Sequence, residues 1–315
     1  MEKIENAVSA SIQNPSKKKK SLLRSNKLFV FLMLAWPTVH FLVFWVYIYT
    51  DTIWLSFHTL RSTGYEFFGA QNFVNFFNEI GRGDSTLYYG IVNSIKLFFF
   101  NVIIIIPLSV FVAYCFFKKI AGYRAFRVIY FLPNVISVVI MTMVFRWAFD
   151  LDIGFMNRIL GAVGISQPEL GFFGEDNSFN MIMLYSLWVG IGYYAMLISG
   201  GMTRIPPEVL ESARIDGAGF FTEFVKIILP LVSSIISTLT IMSMGAIFTY
   251  FLPAMLLTEG GPNGHSYTIA LQMTLMATTN APSSATVGVV CSCIGVPLIL
   301  GVKAALERFL PDVEF

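Results

Sequence analysis

Few of the side chains able to do covalent or metal chemistry stand at useful spacings. His40, His58 and His265 are scattered, with no metal-ligand spacing among them. Cys115, Cys291 and Cys293 give no disulfide framework and lie inside apolar runs, where a thiol behaves as a small hydrophobe. No Ser/His/Asp or Cys/His arrangement is set up for nucleophilic catalysis. No Walker A sequence is present, so ATP is not bound by that route. Gly190-Ile-Gly192-Tyr-Tyr-Ala195 fits a GxGxxA pattern. It sits within an apolar run with no strand before it, a context that supports close helix packing through small residues and not dinucleotide binding.

What remains is binding chemistry, and its most patterned stretch runs from Arg204 to Pro230. Pro206 and Pro207 suit the first turn of a helix, and Glu208 follows where an acid favours the helix dipole. Val209, Leu210, Ala213 and the Ile215/Asp216 edge make a short amphipathic helix. Gly217 and Gly219 then break it. Phe220, Phe221, Phe224, Val225 and Ile228 begin a second helix with an apolar face. A helix–turn–helix with an apolar ridge suits a groove on another protein, or equally an interfacial helix resting on lipid; periodicity leaves both open.

The elements that must position this stretch follow from composition. Of 315 residues, 56% are hydrophobic and only 13% charged, against roughly 25% charged in soluble domains. A soluble fold could not hide so much apolar surface, so the chain is an integral membrane protein. The long continuous runs argue against a transmembrane β-barrel, and the hydrophobicity excludes disorder for the bulk of the chain. A net charge of +2 is too small to suggest a nucleic-acid partner.

Six runs reach the length of about 20 apolar residues that a membrane helix needs: Leu28–Tyr49, Leu97–Phe117, Val128–Phe149, Met181–Met202, Leu231–Leu257 and Ala285–Val302. The expected fold is therefore all-α with six transmembrane helices. Lys and Arg cluster before the first run, between the second and third, between the fourth and fifth, and after the sixth. By the positive-inside bias both termini are cytoplasmic, and so is the Arg204–Pro230 stretch. The first run reads as a retained signal anchor, since it is too long for an h-region and no small-residue cleavage site follows. Lys17–Lys20 fixes topology and could also meet anionic lipid. The expected organisation is a basic cytoplasmic tail (1–27), a first span with its outer loop (28–90), a five-span core (91–303) and a short cytoplasmic tail (304–315). No Asp or Glu falls in the middle of a run, which argues against an ion-coupled carrier, and Arg146 at the outer end of the third run can snorkel to the interface. No internal repeat and no potassium-channel filter is visible.

The stretch Glu211-Ser-Ala213, Gly217, Ile227 and Leu229-Pro230 resembles the EAA loop of ABC importer permeases, with Ser212 in place of the usual Ala. Asp216-Gly217-Ala218 is similar to the form common in sugar permeases. Leu257-Thr-Glu-Gly260-Gly261-Pro262 looks like the T-x-GGP stretch of the maltose-type, first-permease branch of the carbohydrate family. Asn93-Ser94, Leu132-Pro133 and Pro282-Ser-Ser-Ala285 also fall where that family has similar residues.

The resemblance implies a non-enzymatic transport subunit in a prokaryotic inner or plasma membrane. It implies a second permease, a cytoplasmic ATPase dimer that carries ATP and Mg, and an extracytoplasmic solute-binding protein, while this chain holds no cofactor or metal. Glu208, Glu211, Ala213, Asp216, Gly217 and Ala218 would form the coupling helix that meets the ATPase. Carbohydrate, an oligosaccharide above all, would be the cargo, bound by hydroxyl hydrogen bonds and aromatic stacking. Trp188, Gly190, Tyr193, Ser243, Ile247 and Tyr250 are the candidate contacts, with Asn134 and Ser137 weaker ones. Each could instead serve ordinary helix packing. Gly260, Gly261 and Pro262 would gate the outer mouth or meet the binding protein, or form a plain turn. The alternatives are a permease for another solute such as glycerol phosphate or polyamine, an ATP-independent secondary carrier, and a membrane enzyme acting on lipid-linked sugar, for which no clustered polar set is visible.

Overall fold

The computed structural model describes residues 29–164, 168–175 and 177–309; Lys17–Lys20 lies outside them. The described residues before Ser56 form one compact unit and those from Ser56 onward another. The first unit is helical. Its helix α1 (Phe29–Ser56) is long and apolar enough to cross a membrane, and it widens into a π turn over Leu42–Tyr47.

The second unit opens with a two-stranded antiparallel hairpin, β1 (His58–Arg61) and β2 (Gly64–Phe67), in which His58 pairs with Phe67 and Arg61 with Gly64. Helix α2 (Gln71–Gly81) follows, and its buried Asn72 donates to the carbonyls of Ser56 and His58 at 2.9 and 2.7 Å. From sequence this region is expected to be an outer loop. Its elements are too short to register on a scan for membrane-length runs.

Helix α3 runs from Thr86 to Phe117, starting eleven residues before the expected span. The Ser85 hydroxyl caps it, accepting from the Tyr88 N–H at 3.1 Å. A π turn occupies Asn101–Ile105, two residues short of Pro107. Proline lacks the N–H and crowds the preceding turn, and one wide turn accommodates both defects. The same offset recurs later, where a π turn over Phe224–Ile228 precedes Pro230.

The expected third span is broken in two. Helix α4 (Tyr123–Val135) contains Pro133 and ends at Ile136, which is extended. Helix α5 (Val138–Ala148) continues after a bend of 112°. Helix α6 (Phe155–Ala162) lies in the loop beyond. Helix α7 (Ser178–Met202) crosses the centre of the unit and packs on α3 and α4. Helix α8 (Pro207–Ile215) follows, then α9 (Phe220–Leu231) and α10 (Ser233–Ala246), which meet at a bend of 66°.

The apolar run Leu231–Leu257 is likewise not one helix. It unwinds after Ala246 and resumes as α11 (Leu252–Thr258), with Pro253 in its first turn. Helix α12 (Ile269–Thr279) was expected to be loop. At 11 residues it spans roughly 16 Å, short of a bilayer core of about 30 Å. Helix α13 (Ala281–Phe309) is the last element among the described residues, starting before and ending after the expected last span. Among the described residues, four helices are long and apolar enough to cross a membrane, or six if each bent pair counts as one span.

Three buried apolar clusters hold the second unit. One joins α3, α7, α9 and α10 around Tyr114, Ile198 and Ile228. A second joins α5, α7, α11 and α12 around Phe145, Tyr185 and Leu257. The third joins α2, α3, α12 and α13 around Leu87 and Ile269. Large apolar side chains such as Ile103, Val128, Ile140 and Leu298 stay exposed on the outer helix faces, as a surface facing lipid requires.

Candidate functional site

Helix α8 forms where the sequence places it. Pro206 precedes it in an extended conformation, Pro207 occupies its first position and Glu208 its first turn. Val209 and Leu210 pack on the cluster around Tyr114, and Ala213 is buried at 5% exposure. Glu208, Glu211, Ser212, Arg214 and Ile215 face outward, with Ile215 86% exposed. The helix therefore has one face on its own bundle and a second, acidic and free, on the surface. The small side chain of Ala213 serves the inner face.

The turn after α8 is a Schellman cap. Gly217 is left-handed at φ +76°, and its N–H donates to the Arg214 carbonyl at 3.1 Å. The Ala218 N–H reaches back to the Ala213 carbonyl at 2.9 Å. Nothing lies within 4 Å of where a Cβ on Gly217 would sit, so backbone angle and not space demands glycine there. Asp216 at the cap is exposed and Ala218 half-buried.

One residue of this region was not singled out from sequence. Glu223, in the first turn of α9, is 2% exposed. Lys118 Nζ lies 2.9 Å from both of its carboxylate oxygens, and the Tyr114 hydroxyl lies 3.1 Å from Oε1. The signal was present: Phe220, Glu223, Phe224, Ile227 and Ile228 share one helical face, and an acid within an apolar stripe needs a partner.

The substrate candidates do not gather into one pocket. Ser243, Ile247 and Tyr250 converge with Ser94 and Asn101 on a cavity of about 20 Å³, room for one water and no more. The Ser243 hydroxyl is spent on the Thr240 carbonyl at 2.7 Å, and the Tyr250 hydroxyl lies 2.6 Å from Ser186 Oγ. Trp188 stacks on Phe145 with ring centroids 6.1 Å apart. Gly190 sits where a Cβ would lie 3.0 Å from Ile105 Cγ2, and a Cβ on Gly192 would overlap the Tyr130 carbonyl. These two glycines let α7 approach α3 and α4. Asn134 donates to the Val189 carbonyl at 3.1 Å, tying α4 to α7, while Ser137 is exposed and makes no cap bond. Tyr193 is 44% exposed against Tyr194.

A larger hollow of about 580 Å³ opens elsewhere, between α5, α11 and α12. Arg146, Trp147, Met143, Met255 and Glu259 are among its lining residues. Arg146 reaches the Leu256 carbonyl at 3.5 Å.

The Gly260–Pro262 turn is tightly packed. Gly260 and Gly261 are left-handed at φ +93° and +68°. A Cβ on Gly261 would meet Ser266 Oγ at 2.6 Å, and one on Gly260 would overlap the Tyr267 ring. Buried Asn93 of α3 donates to the carbonyls of His265 and Tyr267 at 2.8 and 3.0 Å. Ser94 Oγ accepts from the Ile269 N–H at 2.9 Å. Glu175 accepts from Asn263 at 2.9 Å and lies 3.5 Å from His265 Nε2. Among the described residues no group of three or more His, Cys, Asp or Glu could hold a metal ion.

Known proteins are similar to this chain in sequence or in fold. The probable ABC transporter permease YurN of Bacillus subtilis is 29% identical over 247 residues, 76% of this chain and 82% of that protein. The maltose/maltodextrin permease MalF of Vibrio vulnificus is 30% identical over 146 residues, 46% of this chain but 28% of its own length. A bacterial ABC transporter involved in importing the acidic polysaccharide alginate has the same fold, with TM-score 0.76, 19% identity and coverage of 93% of this chain and 99% of that one. A family model for binding-protein-dependent transport system inner membrane components matches residues 105–314. The chain belongs to that family of inner membrane transport components.

Proposed function

We propose that this chain is one membrane subunit of an ATP-driven ABC importer that passes a carbohydrate, an oligosaccharide in particular, into a bacterial cell. The observation that carries the reading is the two-faced helix α8, stapled to the bundle through Val209, Leu210 and Ala213 and free on the side of Glu208 and Glu211. A rigid element exposed in this way suits a groove on a partner. In this reading the bent pairs α4/α5 and α9/α10 each count as one span. The six spans then put both termini and α8 in the cytoplasm, as the Lys and Arg distribution favours.

The partners are an ATPase dimer docked on α8, a second permease beside this one, and a binding protein on the outer face near Gly260–Pro262. ATP and Mg reside on the ATPase. Closure of the ATPase pair would move α8, and α7 and α9, attached at its two ends, would rock with it, switching access from outside to inside. The names of the relatives, maltose/maltodextrin and alginate among them, favour a carbohydrate cargo.

The cavity near Ser243, Ile247 and Tyr250 is too small for sugar in this conformation. Those residues would meet cargo only after the helices part, with Trp188, Gly190 and Tyr193 on the neighbouring α7. Affinity purification of the tagged chain in mild detergent tests the reading. Recovery of a second permease and an ATPase whose activity responds to a sugar-loaded binding protein is expected. A chain that purifies alone and moves sugar into liposomes without ATP would contradict it.

A further inference from the structure

We infer that Glu223 is a positioning residue that makes α3 a second lever of the coupling helix, an inference that rests on the importer reading above. The carboxylate is clamped from α3 by two groups. Lys118 Nζ stands 2.9 Å from each oxygen, and the Tyr114 hydroxyl lies 3.1 Å from Oε1 and 3.2 Å from the Phe220 carbonyl. The Glu223 side chain is 3% exposed and Lys118 20%. Apolar contacts reinforce the clamp: the Tyr114 ring lies 4.8 Å from Phe220 and 5.1 Å from Phe224.

A buried ion pair is a weak source of net stability, because desolvation offsets most of the attraction. Its distinctive property is geometric, since it fixes one register between two elements. Here it fixes the start of α9 to the end of α3. Irregular backbone flanks the pair on both sides. The π turn of α9 begins at the next residue, Phe224, and beyond Lys118 the chain turns through left-handed Lys119 (φ +51°) and Gly122 (φ +81°).

Only Asp216 to Gly219 separate α8 from α9, and the Schellman cap stiffens that link. A push on α8 thus arrives at Glu223 and passes to Lys118. At its other end α3 carries Asn93 and Ser94, which hold the backbone of His265, Tyr267 and Ile269. One helix, with a π turn at Asn101–Ile105 along its length, therefore joins the coupling end to the turn that follows Gly260–Pro262.

The test uses the whole complex in proteoliposomes, with permease pair, ATPase and binding protein, and reads the sugar transported per ATP hydrolysed. Glu223→Gln keeps shape and an acceptor for Tyr114 but removes the charge, and Lys118→Met removes the other partner. Hydrolysis stimulated by loaded binding protein should persist in both while sugar moved per ATP falls by about threefold to tenfold. An unchanged ratio in both variants, whether rates stay normal or fall in parallel, would overturn the lever. If Glu223→Gln fails to assemble, Tyr114→Phe retains the ring packing and reads the same ratio, and an unchanged ratio there would overturn it too. An unaltered complex without ATP-driven uptake would instead refute the importer reading itself.

Discussion

Three residues show how differently a position can be constrained. Gly217 is open to space and constrained only by its angle, whereas Gly261 is constrained by both angle and neighbours. Gly261→Ala must place a Cβ against Ser266 Oγ at φ +68°, ψ 171°, a region open essentially to glycine, where strain alone costs roughly 1–3 kcal/mol. The expected result is a lower melting temperature of the purified complex with the α8 surface intact, measured by thermal unfolding alongside ATPase recovery. Asn93→Leu removes two hydrogen bonds to the backbone after that turn. It leaves two carbonyls short of a donor, at about 1–3 kcal/mol each. Hydrogen exchange across residues 260–269 should quicken in that variant more than exchange across α7.

At the scale of elements, the sequence showed what the chain is made of but not where it bends. Helix α8 was legible because Pro206, Pro207, Glu208 and Gly217 mark both of its ends chemically. The run Val128–Phe149 read as one span because hydropathy sums over a window and is blind to two extended residues, Ile136 and Ser137. Helix α12 was missed for the converse reason: a helix of 11 residues, seven of them apolar, is too short for a membrane criterion. Gly190 was read both as a sugar contact and as a packing glycine, and in this conformation it packs. Glu223 was marked locally as an acid in an apolar stripe, but its partner Lys118, 105 residues earlier in the sequence, was not legible.

Proline fixes φ near −65°, incompatible with +76° at Gly217. Gly217→Pro should misdirect α8 while the membrane helices still assemble. Transport should drop severely at normal expression, and a pull-down of the second permease should be unaffected. Full uptake by that variant would remove α8 from the coupling role.

In the proposed function the whole molecule is a lever system in a bilayer. Its topology is testable by itself. Reporter fusions after Gly219 should report the cytoplasm and fusions within Phe155–Ala162 the outer side, because the bent pairs α4/α5 and α9/α10 each cross once in this account. Fusions after Val135 that reported a different side from those after Met202 would contradict the single-span reading of α4/α5.

The decisive measurement is uptake of labelled maltodextrins and a panel of other oligosaccharides into proteoliposomes. These would hold the purified complex, with binding protein outside and ATP inside. Accumulation that requires ATP and binding protein together, and that disappears in Gly217→Pro, is expected. Uptake that proceeds without ATP, or that survives Gly217→Pro unchanged, would contradict it.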